Sequence, residues 1–222
     1  TVTTPKGEYF SFTKKVPGRA AAEIIADALP GIIEKIYFPK AMYWTGKGGF
    51  RWIRPIRWIV ALLGDSVVPF ELAGVKSGNV TEGHRRLGGK AIPVTIASHR
   101  AELLKNFVIL SAAERRARIQ SEIAKLPVTA GADAKLLETL VYITEYPTPI
   151  SGGFDPKFLE LPAEVLVTVM RHHQKYFSCV DTAGKLAPSF VAVMNTSSDP
   201  DGLVRQGNER VLRARFNDAR FF

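Results

Sequence analysis

The sequence predicts a mixed α+β fold in which a hairpin-containing sheet packs with helices. Over residues 19–37, apolar side chains recur at three- and four-residue spacing, as on the buried face of a helix. Residues 56–63 and 67–75 are instead rich in β-branched and aromatic side chains, which favours two strands joined by a turn at 64–66. The chain has no internal repeat, which excludes solenoid and propeller folds.

The elements up to residue 127 follow from proline, glycine and capping signals. Pro30 should start a second helix after the first one. Glycine, serine and asparagine over residues 76–90 predict a loop. An inserted βαβα lobe is expected at 91–127, and its last helix should begin at a capping box formed by Ser111 and Glu114. The other elements of the lobe are a strand at 92–96, a helix at 98–105 and a strand at 107–110.

The second half of the chain alternates helices and strands. Pro162 suits the first position of a helix, because its missing N–H is not needed there. We expect a mixed domain over residues 1–200 and, at 201–222, a basic helix that leads into a following domain. The elements in this half are a helix at 134–143, an extended segment at 147–154, a helix at 163–171, strands at 175–180 and 190–194 and the amphipathic helix from 201.

The composition is that of a basic globular protein. Of the 222 residues, 46% are hydrophobic and 23% are charged, which excludes intrinsic disorder as the main state. The net charge of +9 suits a polyanionic partner. No apolar run approaches the roughly 20 residues of a membrane span. The single cysteine, Cys179, has no partner for a disulfide in the chain, so we expect a buried structural thiol in a cytoplasmic protein. The first residues, which lack a methionine, are typical of a piece of a longer chain.

A segment rich in arginine and aromatic residues gives the first functional clue. Residues 36–64 contain no acid and include the cations Lys47, Arg51, Arg54 and Arg57. A guanidinium donates two hydrogen bonds to a phosphate, and exposed aromatic rings stack on bases or sugars. The alternative is that the aromatic residues are core and the arginines form a solvated face. Because a residue before proline is extended, Arg51 and Arg57 should lie on the opposite side from Arg54, so only part of the set can contact one ligand.

The loop 83–90, with the sequence GHRRLGGK, is a second candidate. Glycines let main-chain N–H groups approach a phosphate, and His84 and Arg85 add further donors. A solvated connection explains the same pattern equally well. Neither the P-loop nor the GxGxxG spacing occurs, so ATP binding by this chain is not expected.

The run that contains Arg171, His172 and His173 invites a metal or acid–base hypothesis. Adjacent histidines point in different directions, and no spacing supplies further ligands, so no metal site is expected. A contact of Arg171 and His172 with RNA, or a hydrogen-bonded helix end, is favoured over acid–base work, because no nucleophile with a partner can be named. Arg210 and Arg213 on the basic helix complete the set of candidate binding residues.

Seven short runs together resemble the β subunit of the bacterial heterotetrameric glycyl-tRNA synthetase, and they occur in the order of that family. The chain departs from the family pattern at Tyr43, where an arginine is usual, and at Arg86, where an aromatic residue is usual. The contacts that the family would make at these two positions are therefore not expected here. The runs are FPKAM at 38–42, RPIRWIVAL at 54–62, SGNVTEGHR at 77–85, EYP at 145–147, FLELPAEVL at 158–166, HHQKYF at 172–177 and GNERVLRAR at 207–215.

The resemblance implies partners and a division of labour. The partners would be the α subunit and tRNA(Gly), with no DNA and no membrane. The α subunit would handle glycine, ATP and magnesium, so no cofactor is expected in this region. An HD-like region and an anticodon-binding domain would follow residue 222 in the complete subunit. At the level of fold, the region is similar to the editing-type domain of the phenylalanyl-tRNA synthetase β subunit.

These expectations lead to one hypothesis and two alternatives. The hypothesis is a part of a glycine–tRNA ligase that is inactive alone and helps to position tRNA while the α subunit carries out aminoacylation. The first alternative is a hydrolytic module for misacylated tRNA with His84, His172 or His173 as base. Fold likeness does not transfer activity, and editing is less needed for glycine because a tight pocket excludes every larger amino acid. The second alternative is a structural spacer that contacts only protein.

Overall fold

The computed structural model describes residues 1–44, 46 and 48–221. Within them the chain forms two compact units, Thr1–Val80 and Thr81–Phe222. Both units contain helical structure and small sheets in their described residues, which confirms the mixed α/β class. The resemblance to the editing-type domain, the domain limit at residue 200 and the lobe at 91–127 stay predictions.

The first unit contains one helix and nine short strands in its described residues. The sheets are small: β1 pairs with β2, β3 with β4 and β6 with β7, while a three-stranded sheet has the order β5-β9-β8. The elements are β1 (Val2–Thr4), β2 (Gly7–Tyr9), α1 (Ala21–Glu34), β3 (Met42–Tyr43), β4 (Arg51–Trp52), β5 (Ile59–Val60), β6 (Leu62–Leu63), β7 (Ser66–Val67), β8 (Glu71–Leu72) and β9 (Val75–Gly78).

Helix α1 corrects the prediction of a break at Pro30. Pro30 lies inside one continuous helix of 14 residues. Ile25, Leu29 and Ile33 are partly buried and recur at helical spacing on both sides of Pro30. This common apolar face favours one continuous helix, although Pro30 supplies no N–H. No residue of α1 is fully buried in this unit. The row of apolar side chains that was predicted to be buried therefore stays partly exposed.

The predicted hairpin is confirmed in a shorter form. Strands β6 and β7 are antiparallel across Gly64 and Asp65, but β5 pairs in parallel with β9. Strand β9 also occupies the start of the predicted loop at 76–90. The hydroxyl of Ser77 explains this, because it accepts the N–H of Phe70 at 2.9 Å and donates to the carbonyl of Val68 at 2.7 Å.

The second unit is built on an antiparallel four-stranded sheet of order β12-β14-β15-β13. Two further short strands precede it, and helices cover it. The elements are β10 (Val80–Thr81), β11 (Ile92–Pro93), α2 (His99–Lys105), α3 (Ala112–Ile123), β12 (Thr129–Ala130), α4 (Ala134–Ile143), β13 (Pro147–Gly153), a 3₁₀ helix (Pro156–Glu160), α5 (Ala163–Thr168), a π-helix that continues it (Val169–Gln174), β14 (Phe177–Val180), β15 (Leu186–Asn195) and α6 (Leu203–Phe221).

Side chains on the two faces of this sheet form two hydrophobic cores, because neighbouring residues of a strand point to opposite faces. Phe190 of β15 packs in one core with Leu212 and Phe216 of α6, and Val191 packs in the other with residues of α3 and α4. Cys179 is fully buried in the second core, which confirms the predicted structural thiol. Burial raises the pKa of Cys179 and so disfavours the thiolate.

Local signals placed α3 and α4 correctly, whereas the strand predicted at 107–110 is wrong. Ser111 caps α3 by accepting the N–H of Glu114 at 3.4 Å, and Asp133 caps α4. The carbonyls of Ile109 and Leu110, which a strand would use, accept hydrogen bonds from the side chain of Arg115 at 2.6 and 2.9 Å. The predicted helix at 163–171 continues through the π-helix to Gln174.

Candidate nucleic-acid interface

The aromatic residues of the basic segment pack on one another in the first unit. Strands β3 and β4 pair Tyr43 with Arg51. The ring of Trp52 lies 4.8 Å from Phe38 and 5.8 Å from Phe50, and Phe50 lies 5.5 Å from Trp44. These rings are a small packed cluster, so they explain the local fold and are not free stacking platforms.

The three arginines of this segment are exposed. The guanidinium of Arg51 lies 5.1 Å from the ring centre of Tyr43, and that of Arg57 lies 5.9 Å from Trp58. Arg54 lies in a bend between β4 and Pro55. Both partner rings are partly open to solvent, with exposed fractions of 47% for Tyr43 and 39% for Trp58. The segment therefore presents cations beside exposed ring surface.

Acids of the same unit form no ion pair with these arginines among the described residues, and Glu34 and Arg51 line one cavity without such a pair. The ion pairs that the described residues of the first unit contain join Arg19 to Glu23 and to Asp27. Arg51, Arg54 and Arg57 have no ion pair among the described residues. Lys47, the fourth cation of the prediction, lies outside the described residues.

In the glycine-rich loop of the second unit, His84 is buried and Arg85 is exposed. His84 is only 3% exposed, and its Nδ1 accepts the N–H of Arg86 at 3.3 Å. A Cβ at Gly83 would lie 2.6 Å from the Cβ of Asn106, so close packing explains this glycine without a ligand. His84 holds the loop, while Arg85 is exposed.

Arg171 is held in a defined position by Asp133. The Nε of Arg171 lies 2.6 Å from Oδ2 of Asp133, and a terminal nitrogen donates to Oδ1 at 3.2 Å. Oδ1 also accepts the N–H of Leu136 at 2.9 Å, so one carboxylate caps α4 and orients Arg171. His172 is exposed, and its carbonyl accepts a hydrogen bond from the side chain of Lys175.

Helix α6 presents Arg210 and Arg213 to solvent, while Leu212 and Phe216 of the same helix are buried. The sequence analysis missed Asp133 as the partner of Arg171. It also missed Tyr176, which is buried and lines a cavity together with Asp133 and Arg171. The aspartate before a helical pattern signals a cap, but nothing local signals a partner 38 residues away.

Metal-binding clusters and membrane spans are both absent from the part of the chain that the structure describes. No three metal-ligating side chains lie together there. Among the same residues, no helix has the length and apolar character that crossing a membrane requires.

Comparisons with known proteins place the chain in a family. The profile of the family described as glycyl-tRNA synthetase beta subunit matches residues 1–222. The chain is 49% identical over 231 residues to the glycine–tRNA ligase beta subunit of Acidobacterium capsulatum, and 45% identical over 226 residues to that of Geobacter sulfurreducens. Each comparison covers 100% of this chain and 33% of the relative, so the chain spans about a third of the length of these relatives. The chain belongs to the glycyl-tRNA synthetase β-subunit family.

Proposed function

We propose that this chain is a non-catalytic part of a cytoplasmic glycine–tRNA ligase, in which it helps to hold tRNA(Gly) for the α subunit. The α subunit activates glycine with ATP and magnesium and transfers it to the tRNA. This region holds no cofactor of its own and contributes to the reaction by positioning the tRNA.

The exposed and unneutralised arginines of the first unit carry the proposal. Arg51, Arg54 and Arg57 lie in a segment without acidic residues, and none has an ion pair among the described residues. Phosphate binding releases counterions from RNA and gains charge-assisted hydrogen bonds, so unpaired exposed arginines are the residues that such binding uses. Tyr43 and Trp58 hold two of the guanidinium groups over ring surface, which restricts their motion before they bind.

The decisive measurement is the Michaelis constant for tRNA in the complete α/β enzyme. Among Arg51→Ala, Arg54→Ala and Arg57→Ala, each variant that removes a phosphate contact should raise this constant about three- to tenfold. Adenylate formation without tRNA should be unchanged. Each variant that removes a bound phosphate should also lower the slope of log affinity against log salt by about 1.

Lys76→Ala is the matched control, because Lys76 is an exposed cation of the same unit outside the acid-free segment. It should leave the tRNA constant unchanged. Arginine variants that charge tRNA normally would refute the proposal and favour the structural spacer. Deacylation of mischarged tRNA that disappears in His172→Ala would support the hydrolytic module instead.

A further inference from the structure

A cavity of about 440 Å³ lies in the second unit, beside the N-terminus of α4, the end of α5 and the start of β14. Asp133, Lys135, Arg171 and Tyr176 line it, together with apolar side chains that include Val167. A smaller cavity of about 180 Å³ shares Lys135 and Arg171 and adds His172 and Lys175. The two cavities form one region with common lining residues, which we call the α4 cleft.

Tyr176 places an unused polar group at this cleft. Its side chain is 7% exposed, and its ring stacks on Phe190 with centroids 4.7 Å apart. Its hydroxyl has no hydrogen-bond partner among the described residues. The hydroxyl is not one of the buried polar atoms that lack a partner among the described residues, so it is open to solvent and can donate to and accept from a ligand. Burial raises the pKa of Tyr176 to about 12, so the hydroxyl keeps its proton at neutral pH.

The charges at the α4 cleft are mainly positive. Asp133 is the one acid among the described lining residues, and it is already bonded to Arg171. This bond uses Nε and one terminal nitrogen of Arg171, which leaves the other terminal nitrogen to donate to a ligand. Lys135 is exposed and has no acidic partner among the described residues. The first N–H groups of α4, a helix of 10 residues, add positive potential on the same side.

We propose that the α4 cleft binds the ribose-phosphate part of a nucleotide. The phosphate is bound by Lys135 and the free N–H groups of Arg171, and a sugar hydroxyl pairs with the hydroxyl of Tyr176. Val167 and its apolar neighbours contact the carbon atoms of the sugar. This site lies in the second unit and does not depend on the proposed role of Arg51, Arg54 and Arg57, so either proposal can fail alone.

Binding should be measured by calorimetry on the 222-residue chain with three probes: inorganic phosphate, uridine 5′-monophosphate and a single-stranded hexauridylate. We expect the nucleotide to bind more tightly than phosphate. Hexauridylate that binds at least tenfold more tightly than the monophosphate identifies an RNA strand as the source of the nucleotide. Similar affinities identify a free nucleotide.

Tyr176→Phe is the most specific variant, because it removes the hydroxyl and keeps the ring that stacks on Phe190. It should weaken nucleotide binding about fivefold, leave phosphate binding unchanged and not lower the melting temperature. Lys135→Ala should weaken both ligands. Tyr142→Phe and Lys185→Ala are the controls, since both residues are exposed and neither lines the cleft.

The proposal is overturned if neither nucleotide probe binds at millimolar concentration. It is also overturned if Tyr176→Phe and Lys135→Ala bind the nucleotide as well as the unchanged chain does. A lower melting temperature in Tyr176→Phe would show that the hydroxyl has a structural partner, which contradicts the proposal as well.

Discussion

Replacing Gly152 with alanine should destabilise the second unit, because the added methyl group would collide with a buried ring. Gly152 of β13 lies directly opposite Phe190 of β15. An added Cβ would lie 2.5 Å from Cζ and 2.9 Å from Cε1 of Phe190. The ring cannot move away freely, because it is fully buried and stacks on Tyr176. Overpacking of this kind costs about 1–3 kcal/mol, and each kcal/mol lowers the melting temperature by about 2–4 °C in a protein of this size.

Gly153→Ala is the matched control for this prediction. It makes the same chemical change one residue later, where the nearest atom to an added Cβ is the carbonyl oxygen of Pro188 at 3.5 Å, an ordinary contact. Gly153→Ala should therefore leave the melting temperature almost unchanged, as measured by circular dichroism or calorimetry.

A double-variant cycle tests the cause. Phe190→Leu removes the ring that blocks the new methyl group, so Gly152→Ala should cost less in that background than in the original chain. The expected coupling is about 1 kcal/mol or more. Additive effects, or equal stability of Gly152→Ala and Gly153→Ala, would refute the packing argument.

Three further predictions concern other positions. Ala73→Asn should raise the free energy of unfolding in urea by about 0.5–1 kcal/mol, because Ala73 has φ of 51° in the tight turn between β8 and β9, where asparagine is favoured. Arg115→Met should cost about 2–3 kcal/mol in the same assay, since three main-chain carbonyls lose their donor, whereas Arg116→Met should cost under about 1 kcal/mol. The main-chain N–H groups of Arg205 and Val204 donate to Asp199 and lower its pKa. The contribution of Asp199 to the stability of the folded state is therefore complete above about pH 4, and it is lost as the pH falls through the lower pKa of the folded state. In Asp199→Asn the acid-induced drop in melting temperature should be smaller.

Local signals in the sequence predicted local structure and failed where the cause was distant. The capping box at Ser111 placed the start of α3, because a cap acts within three residues, and the helical pattern at 134–143 placed α4. The strand at 107–110 was wrong because Arg115 takes the carbonyls that a strand partner would need. His84 is buried although it lies in a loop, and the glycines of that loop, Gly83 and Gly88, pack closely against Asn106. The α4 cleft joins three separate segments, so its composition could not be predicted from the sequence.

The total charge of the chain is a poor guide to where RNA would bind, and a pair of triple variants tests this directly. Much of the positive charge of the second unit is already engaged: Arg100 pairs with Glu114, Arg116 with Glu138, and Arg220 lies 3.9 Å from Glu160. A paired arginine has fewer free N–H groups for a phosphate, and its acid repels the phosphate as well. An unpaired arginine meets neither cost.

Replacing Arg51, Arg54 and Arg57 together with alanine should therefore weaken tRNA binding by the complete enzyme at least tenfold more than replacing Arg100, Arg116 and Arg220 together. Both triple variants lower the net charge by the same amount, so a difference between them cannot come from total charge. Filter binding across a salt series should also give a shallower salt slope for the first variant than for the second. Equal weakening by the two variants would mean that RNA responds only to the overall field of the protein, and the assignment of the contact to the first unit would be wrong.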